Sequence, residues 1–84
     1  MKKTLIKQLF LQAIDLEKKG DFLSAKSAYK KIIKINSKLP NAYYNLGNIL
    51  KDMGKYKEAI SNYKKVIAID PQNVSAFNNL GILY

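Results

Sequence analysis

The sequence predicts an all-α protein, a solenoid of helix-turn-helix repeats with about five helices. Two observations carry this prediction: apolar residues recur at helical spacing, and the chain repeats itself every 34 residues. Residues 6–39 align without a gap on residues 40–73, and residues 74–84 begin a third copy. A unit of this length cannot bury its apolar face alone and must stack on its neighbour. The positions identical in the first two units are Leu16/Leu50, Gly20/Gly54, Ala25/Ala59, Ser27/Ser61, Tyr29/Tyr63, Lys30/Lys64, Lys31/Lys65, Ile33/Ile67 and Ile35/Ile69.

The first unit contains two predicted helices joined by a short turn. The first helix ends at Gly20 and has apolar residues at helical spacing, namely Leu5, Leu9, Ala13 and Leu16. The second is predicted from about Asp21 to Ile35, where apolar residues again form one stripe. Because so few residues separate the two helices, they must pack antiparallel.

Proline and glycine mark the ends of the remaining helices. The third helix is predicted from Pro40 to Met53, since proline suits a first helical turn and Gly54 suits a helix end. The fourth is predicted from about Tyr56 to Ile69, before Pro71, and the fifth from about Asn73 to the end of the chain.

Small residues recur at two places in the repeat. Ala13, Gly47 and Gly81 share one place in the first helix of each unit, and Ala25 and Ala59 share one in the second. A larger side chain at these places would overpack the contact between helices. We therefore expect close helix packing at all of them.

The composition is strongly basic. The 84 residues include 15 Lys, no Arg, no His and 6 acidic residues, and the formal net charge is +9. Lysine attracts phosphates, but base recognition usually relies on the forked guanidinium of arginine. We therefore expect weak, salt-sensitive attraction to nucleic acid and no specific binding.

Catalysis and membrane insertion are not expected. Without Cys or His the chain has no Cys/His or Ser/His nucleophile and no thiolate or imidazole ligand for zinc, so we predict no enzyme activity, cofactor or metal site. Polar residues interrupt the apolar N-terminal segment, so we expect neither a signal peptide nor a transmembrane span. The cytoplasm is the default location.

The second unit carries a characteristic pattern of large and small residues: Tyr43, Leu46, Gly47, Leu50, Gly54, Tyr56, Ala59, Tyr63, Val66 and Pro71. In these residues the chain resembles the tetratricopeptide repeat family, whose 34-residue units stack into a right-handed superhelix. The first unit departs from the pattern at Gln12, Ala13 and Ser37. The resemblance implies a solenoid from about Ile6 to Tyr84, with two full units and the first helix of a third.

The resemblance also implies that the first helix of each unit lines a concave groove and that the second faces outward. An amide can donate and accept hydrogen bonds at once, which suits it to an extended peptide backbone. Asn45 and Asn79 lie one repeat apart, so we expect them to form a ladder across adjacent helices. The predicted peptide-binding residues are Asn41, Tyr44, Asn45, Asn48, Ser75, Asn78 and Asn79.

The first unit is apolar where the others carry amides. Phe10, Leu11 and Ile14 form a predicted partner surface, unless the N-terminal segment or the end of a neighbouring chain covers them. A clamp that grips the terminal carboxylate of chaperones in some family members is poorly matched, because only Asn45 falls on one of its places. We therefore do not predict binding of chaperone tails.

Pairs of lysines, Lys30-Lys31 and Lys64-Lys65, fall on the second helices and should face outward. Such a face is usually solvated and keeps an apolar repeat soluble. The alternative is that it attracts an acidic partner.

The third unit has a first helix and no second. We expect Phe77, Leu80 and Tyr84 to form an open-end interface where a sixth helix would pack. The favoured interpretation is a piece of a longer array; the alternative is that another chain covers this end.

The sequence thus predicts a non-catalytic protein–protein interaction module that binds an extended peptide or protein segment in its groove. Two other classes stay open. One is the N-terminal recognition arm of a larger enzyme, such as a glycosyl- or sulfotransferase, and the other is a structural piece that self-assembles through its open end.

Overall fold

The computed structural model describes residues 1–83, and within them the regular structure is helical. The prediction of an all-α repeat solenoid is confirmed. Each observed helix lies within a few residues of its predicted position. The helices are α1 Lys2–Lys18, α2 Phe22–Ile35, α3 Pro40–Asp52, α4 Tyr56–Ile69 and α5 Val74–Leu83.

Gly20 and Gly54 end the first helix of each full unit in the same way. Their φ angles are 79° and 78°, in the left-handed region that a side chain disfavours. The N–H of Gly20 bonds to the carbonyl of Glu17 at 3.0 Å, and the next N–H, that of Asp21, bonds to the carbonyl of Leu16 at 2.9 Å. This is the Schellman arrangement, which satisfies the last carbonyls of a helix. The same two bonds recur one repeat later, so the two units turn alike.

The helices form two rows. Asn79 of α5 contacts Tyr44 and Asn48 of α3, so α3 and α5 are neighbours on one side. On the other side a cleft has Lys26 of α2 and Ser61 of α4 among its lining residues, so α2 and α4 are neighbours there. We call the side formed by α1, α3 and α5 the groove face, and the side formed by α2 and α4 the outer face.

The core lies between the two rows. Its largest fully buried side chains are spread over α2, α3 and α4, and a tyrosine occupies the same place in α2 and in α4. These residues are Tyr29, Tyr63, Ile32, Ile49 and Val66. Each tyrosine fills the space between the helices of its own unit, so the repeated core follows the repeated sequence.

The small residues do not all have the role that was predicted. Ala13, Ala25 and Ala59 are fully buried. A Cβ built on Gly47 would lie 2.8 Å from the Tyr63 ring, so this glycine allows α3 and α4 to approach. The prediction is wrong for Gly81, where a Cβ would meet no atom of the described residues within 4 Å.

Replacing Gly47 by Ala should destabilise the protein by about 1 to 3 kcal/mol, because the new Cβ would lie 2.8 Å from the buried Tyr63 ring and would force α3 or the ring to shift. Gly81→Ala is the matched control. It should be neutral or stabilising by up to about 1 kcal/mol, since it removes a flexible residue from an open helical position. Urea unfolding followed by circular dichroism measures both free energies. Equal effects of the two substitutions would show that the Gly47 contact is not a packing constraint.

Candidate functional site

The groove face carries a hydrogen-bond network between α3 and α5. The Tyr63 hydroxyl donates to Oδ1 of Asn48 at 2.5 Å. Nδ2 of Asn79 donates to the same oxygen and to the Tyr44 hydroxyl, each at 3.3 Å. The rings of Tyr44 and Tyr63 lie 5.9 Å apart between centroids, tilted by 57°. Three of the predicted peptide-binding residues, Tyr44, Asn48 and Asn79, are thus brought together.

The network leaves two polar groups available. Within residues 1–83, Nδ2 of Asn48 and Oδ1 of Asn79 make no hydrogen bond to the protein. Both residues are half-buried. An amide nitrogen donates and an amide oxygen accepts, so the two groups differ in the partner that each can bind.

Asn45 and Asn79 have equivalent neighbours, one repeat apart. Burial raises the pKa of Tyr29 well above its usual range, with a further contribution from Glu17, and a hydrogen bond with Asn45 lowers it. The pKa of Tyr63 is likewise raised to about 12, mainly by burial and also by Tyr44 and Asp52, while a hydrogen bond with Asn79 acts to lower it. Each asparagine therefore reaches back to the buried tyrosine of the preceding unit.

The two tyrosine hydroxyls use different acceptors. Tyr63 donates to Asn48, but the matching place in the first unit is Ile14, which cannot accept. Tyr29 donates instead to Oε1 of Glu17 at 2.5 Å, about one helical turn further along α1. Sequence reasoning assigned both tyrosines to packing and missed their hydroxyls. The signal was present, since tyrosine recurs where phenylalanine would fill the same volume.

The other predicted groove residues lie outside this network. Asn41, Ser75 and Asn78 are exposed on α3 and α5. Nothing in the structure brings them to the Tyr44–Asn48–Asn79 cluster. They remain predictions as peptide contacts.

The apolar surface of the first unit is present and forms a cleft. Phe10 packs edge-on against Tyr29, with ring centroids 6.0 Å apart, and Leu11 is 60% exposed. Both line a cleft of about 440 Å³ between the start of α1 and the α2–α3 connection. Ile14 is exposed but does not line it. The remaining lining residues are Lys3, Ile6, Lys7, Asn36 and Leu39.

The predicted open-end interface needs a correction. Leu80 is only 8% exposed and belongs to the core, so its assignment to an exposed end is wrong. Its place repeats Leu46, which also points into the stack, and α4 already covers it without a sixth helix. Phe77 is 51% exposed and Val74 and Ile82 are exposed too, whereas Tyr84 lies outside the described residues.

Three models of one repeat family match the chain in succession. One described as "TPR repeat" matches residues 47–84, and two described as "Tetratricopeptide repeat" match residues 28–61 and 16–39. The chain belongs to the tetratricopeptide repeat family. A comparison with curated proteins finds no significant match.

Solved structures show the same tetratricopeptide repeat fold. The crystal structure of MamA superposes with a TM-score of 0.91 at 26% identity and covers 94% of this chain and 46% of that one. The TPR2B domain of yeast Sti1, in a complex with pHsp70, superposes with a TM-score of 0.89 at 25% identity. The match covers 95% of this chain and 64% of that one. The first TPR of Spaghetti (RPAP3), bound to the HSP90 peptide SRMEEVD, superposes with a TM-score of 0.81 at 25% identity. The match covers 84% of this chain and 56% of that one. The chain spans about half to two thirds of the length of these structures.

Among the tetratricopeptide units that the structure describes, no three His, Cys, Asp or Glu side chains come together in a way that could hold a metal ion. The described helices also include none that combines the length and the apolar character needed to cross a membrane.

The raised pKa of Tyr63 predicts a loss of stability in alkali. A folded-state pKa of about 12, against about 10 for an unfolded tyrosine, contributes stability that is complete below about pH 10 and is lost as the pH rises through about 12. Tyr63→Phe should cost about 0.5 to 1.5 kcal/mol near neutral pH, because Asn48 loses a donor. The free energy of unfolding of the Tyr63→Phe variant should then fall less than that of the unmodified chain as the pH rises, because the variant lacks this titrating hydroxyl. Urea unfolding at about pH 8 and about pH 11 tests this, and both proteins contain the same titrating lysines. Parallel pH profiles would contradict the prediction.

Proposed function

We propose that the chain is a non-catalytic protein-interaction module that holds an extended peptide or protein segment against its groove face. The observation that carries this proposal is the pair of amide groups at Asn48 and Asn79. One offers a donor and the other an acceptor, and the internal hydrogen bonds of the network hold both in place. Such preorganisation lowers the entropic cost of binding.

The apolar cleft at Phe10 and Leu11 supports the same proposal. This cleft lies beside α1, one of the helices of the groove face, and has room for a large apolar side chain. Lysines border it, Lys3 and Lys7, so an acidic neighbour of that side chain would be favoured. The proposed ligand therefore combines an apolar anchor in the first unit with backbone contacts in the second and third.

The relatives support peptide binding but not the same peptide. Two similar structures are complexes, one with an HSP90 peptide and one with pHsp70. Phe10, Ile14, Ser75 and Asn79 occupy places where the carboxylate clamp of the family uses other residues. We therefore propose a ligand held by an apolar anchor and amides, and not by its terminal carboxylate.

Replacing Asn45 and Asn79 together by Ala should weaken binding of a groove peptide by about 1 to 3 kcal/mol in total, because peptide groups would be left poorly satisfied. The probe is a peptide selected from a random library on the unmodified chain, and titration calorimetry measures its affinity. Asn62→Ala, on the outer helix α4, is the control. Its own amide donates to the Glu58 carbonyl, so this variant also loses an internal amide bond. Equal affinities for the double variant and the unmodified chain would rule out the amide ladder.

Self-association through the end of α5 is a second candidate, and one observation favours it. Val74, Phe77 and Ile82 are large apolar residues that stay exposed on a single short helix. Burial of each such side chain is worth about 1.5 to 3 kcal/mol. A second copy of the chain that packs against them would remove them from water.

Sedimentation tests this candidate. The unmodified chain should associate as its concentration rises, and Phe77→Asn with Ile82→Asn should shift it toward monomer because two apolar contacts are lost. Leu23→Asn, an equally drastic change at an exposed position of α2, should leave the sedimentation unchanged. A clean monomer of the unmodified chain at tens of micromolar would exclude this association.

A further inference from the structure

The outer face contains a cleft between α2 and α4. Its floor is formed by Leu46 and Leu50 of α3, both buried. Lys26 and Lys30 line one side, and Ser61 and Asn62 of α4 line the other. The volume is about 150 Å³, enough for a carboxylate-bearing side chain but not for a folded element.

Cationic groups are crowded at this cleft. Lys26 is half-buried, and its pKa is lowered by that burial and by the charges of Lys30 and Lys55. The charge of Glu58 acts to raise the pKa of Lys26, and Glu58 is the one acidic residue among those that line the cleft. Ammonium groups that repel one another are stabilised when an anion comes between them.

A second, wider cleft continues along α2. Its volume is about 410 Å³, and it shares Lys26 and Lys30 with the first. Leu23 lines it and is 70% exposed, which is unusual for a leucine on a helix that packs on both sides. Lys31 and Lys34 complete its cationic border. The stems of these lysines are apolar, so the cleft has apolar walls and charged tips.

We propose that the two adjoining clefts of the outer face, which share Lys26 and Lys30, together bind an acidic segment of a protein partner that carries one large apolar side chain. Carboxylates of the segment lie between Lys26 and Lys30, and its apolar side chain packs on Leu23. This surface is separate from the groove face, so each of the two proposals can be tested without assuming the other.

The residues at the cleft favour a protein segment over nucleic acid. Arginine, the usual partner of base edges, does not occur in the chain, so specific readout of bases is disfavoured. Stacking platforms for bases are absent among the lining residues, which include Leu23 but no aromatic side chain.

The test uses a fluorescein-labelled peptide of glutamates around one central leucine, with fluorescence anisotropy as the readout. Lys26→Gln with Lys30→Gln should weaken binding about fivefold to tenfold at low salt, since both lysines border the cleft. Lys2→Gln with Lys18→Gln removes the same charge from exposed positions on α1 and should weaken it about twofold or less. Circular dichroism checks that each variant keeps its helices.

Further variants sharpen the test. Glu58→Gln removes the opposing carboxylate and should strengthen binding about twofold. Leu23→Asn should weaken binding of the leucine-containing peptide but not of a peptide with serine in its place. The groove variant Asn45→Ala with Asn79→Ala should bind the acidic peptide normally.

Three results would overturn the proposal. Equal losses in the two lysine pairs would reveal general charge attraction. A loss in the groove variant would move the site to the other face. An oligothymidine of equal charge that binds more tightly than the peptide, and loses affinity in the Lys26 and Lys30 variant, would assign the cleft to nucleic acid.

Discussion

The second unit depends on a tyrosine of its second helix that is buried against a glycine of its first helix. In the second unit the Tyr63 ring occupies the space that a side chain at Gly47 would need. The hydroxyl at the end of that ring cannot stay unpaired in the core, so it needs a partner on the groove face. The packing of the unit and the polar network of the groove are therefore parts of one arrangement.

The sequence was sufficient to predict the fold. Apolar spacing located the helices, and Gly20 and Gly54 ended α1 and α3 because their left-handed conformation disfavours other residues. It was less informative about single side chains. The identity of an asparagine does not show which way its amide is turned, so the contact of Asn79 with Asn48 appears only in three dimensions. The prediction of Leu80 as an open-end residue was wrong because Leu80 is buried in the core. A count of apolar residues on a helix does not show which of them other helices already bury.

The two faces use their polar residues differently. The groove face carries neutral amides that are held by internal hydrogen bonds, an arrangement suited to the proposed contact with a peptide backbone. The outer face carries lysines whose charges act at longer range and weaken as salt is added. A protein of this kind can hold one partner by geometry and attract another by charge, on surfaces separated by the thickness of the core.

If the groove face binds a ligand as proposed, the contact between Asn79 and the α3 side chains would link that binding to the order of α5. Nδ2 of Asn79 holds α5 to Tyr44 and Asn48, and Oδ1 of the same amide is the atom proposed to contact the ligand. A ligand that engages this oxygen restrains the amide, and thereby stabilises the docked position of α5 in proportion to its concentration relative to its dissociation constant. An occupied groove would then hold α5 against α3 more firmly than an empty one.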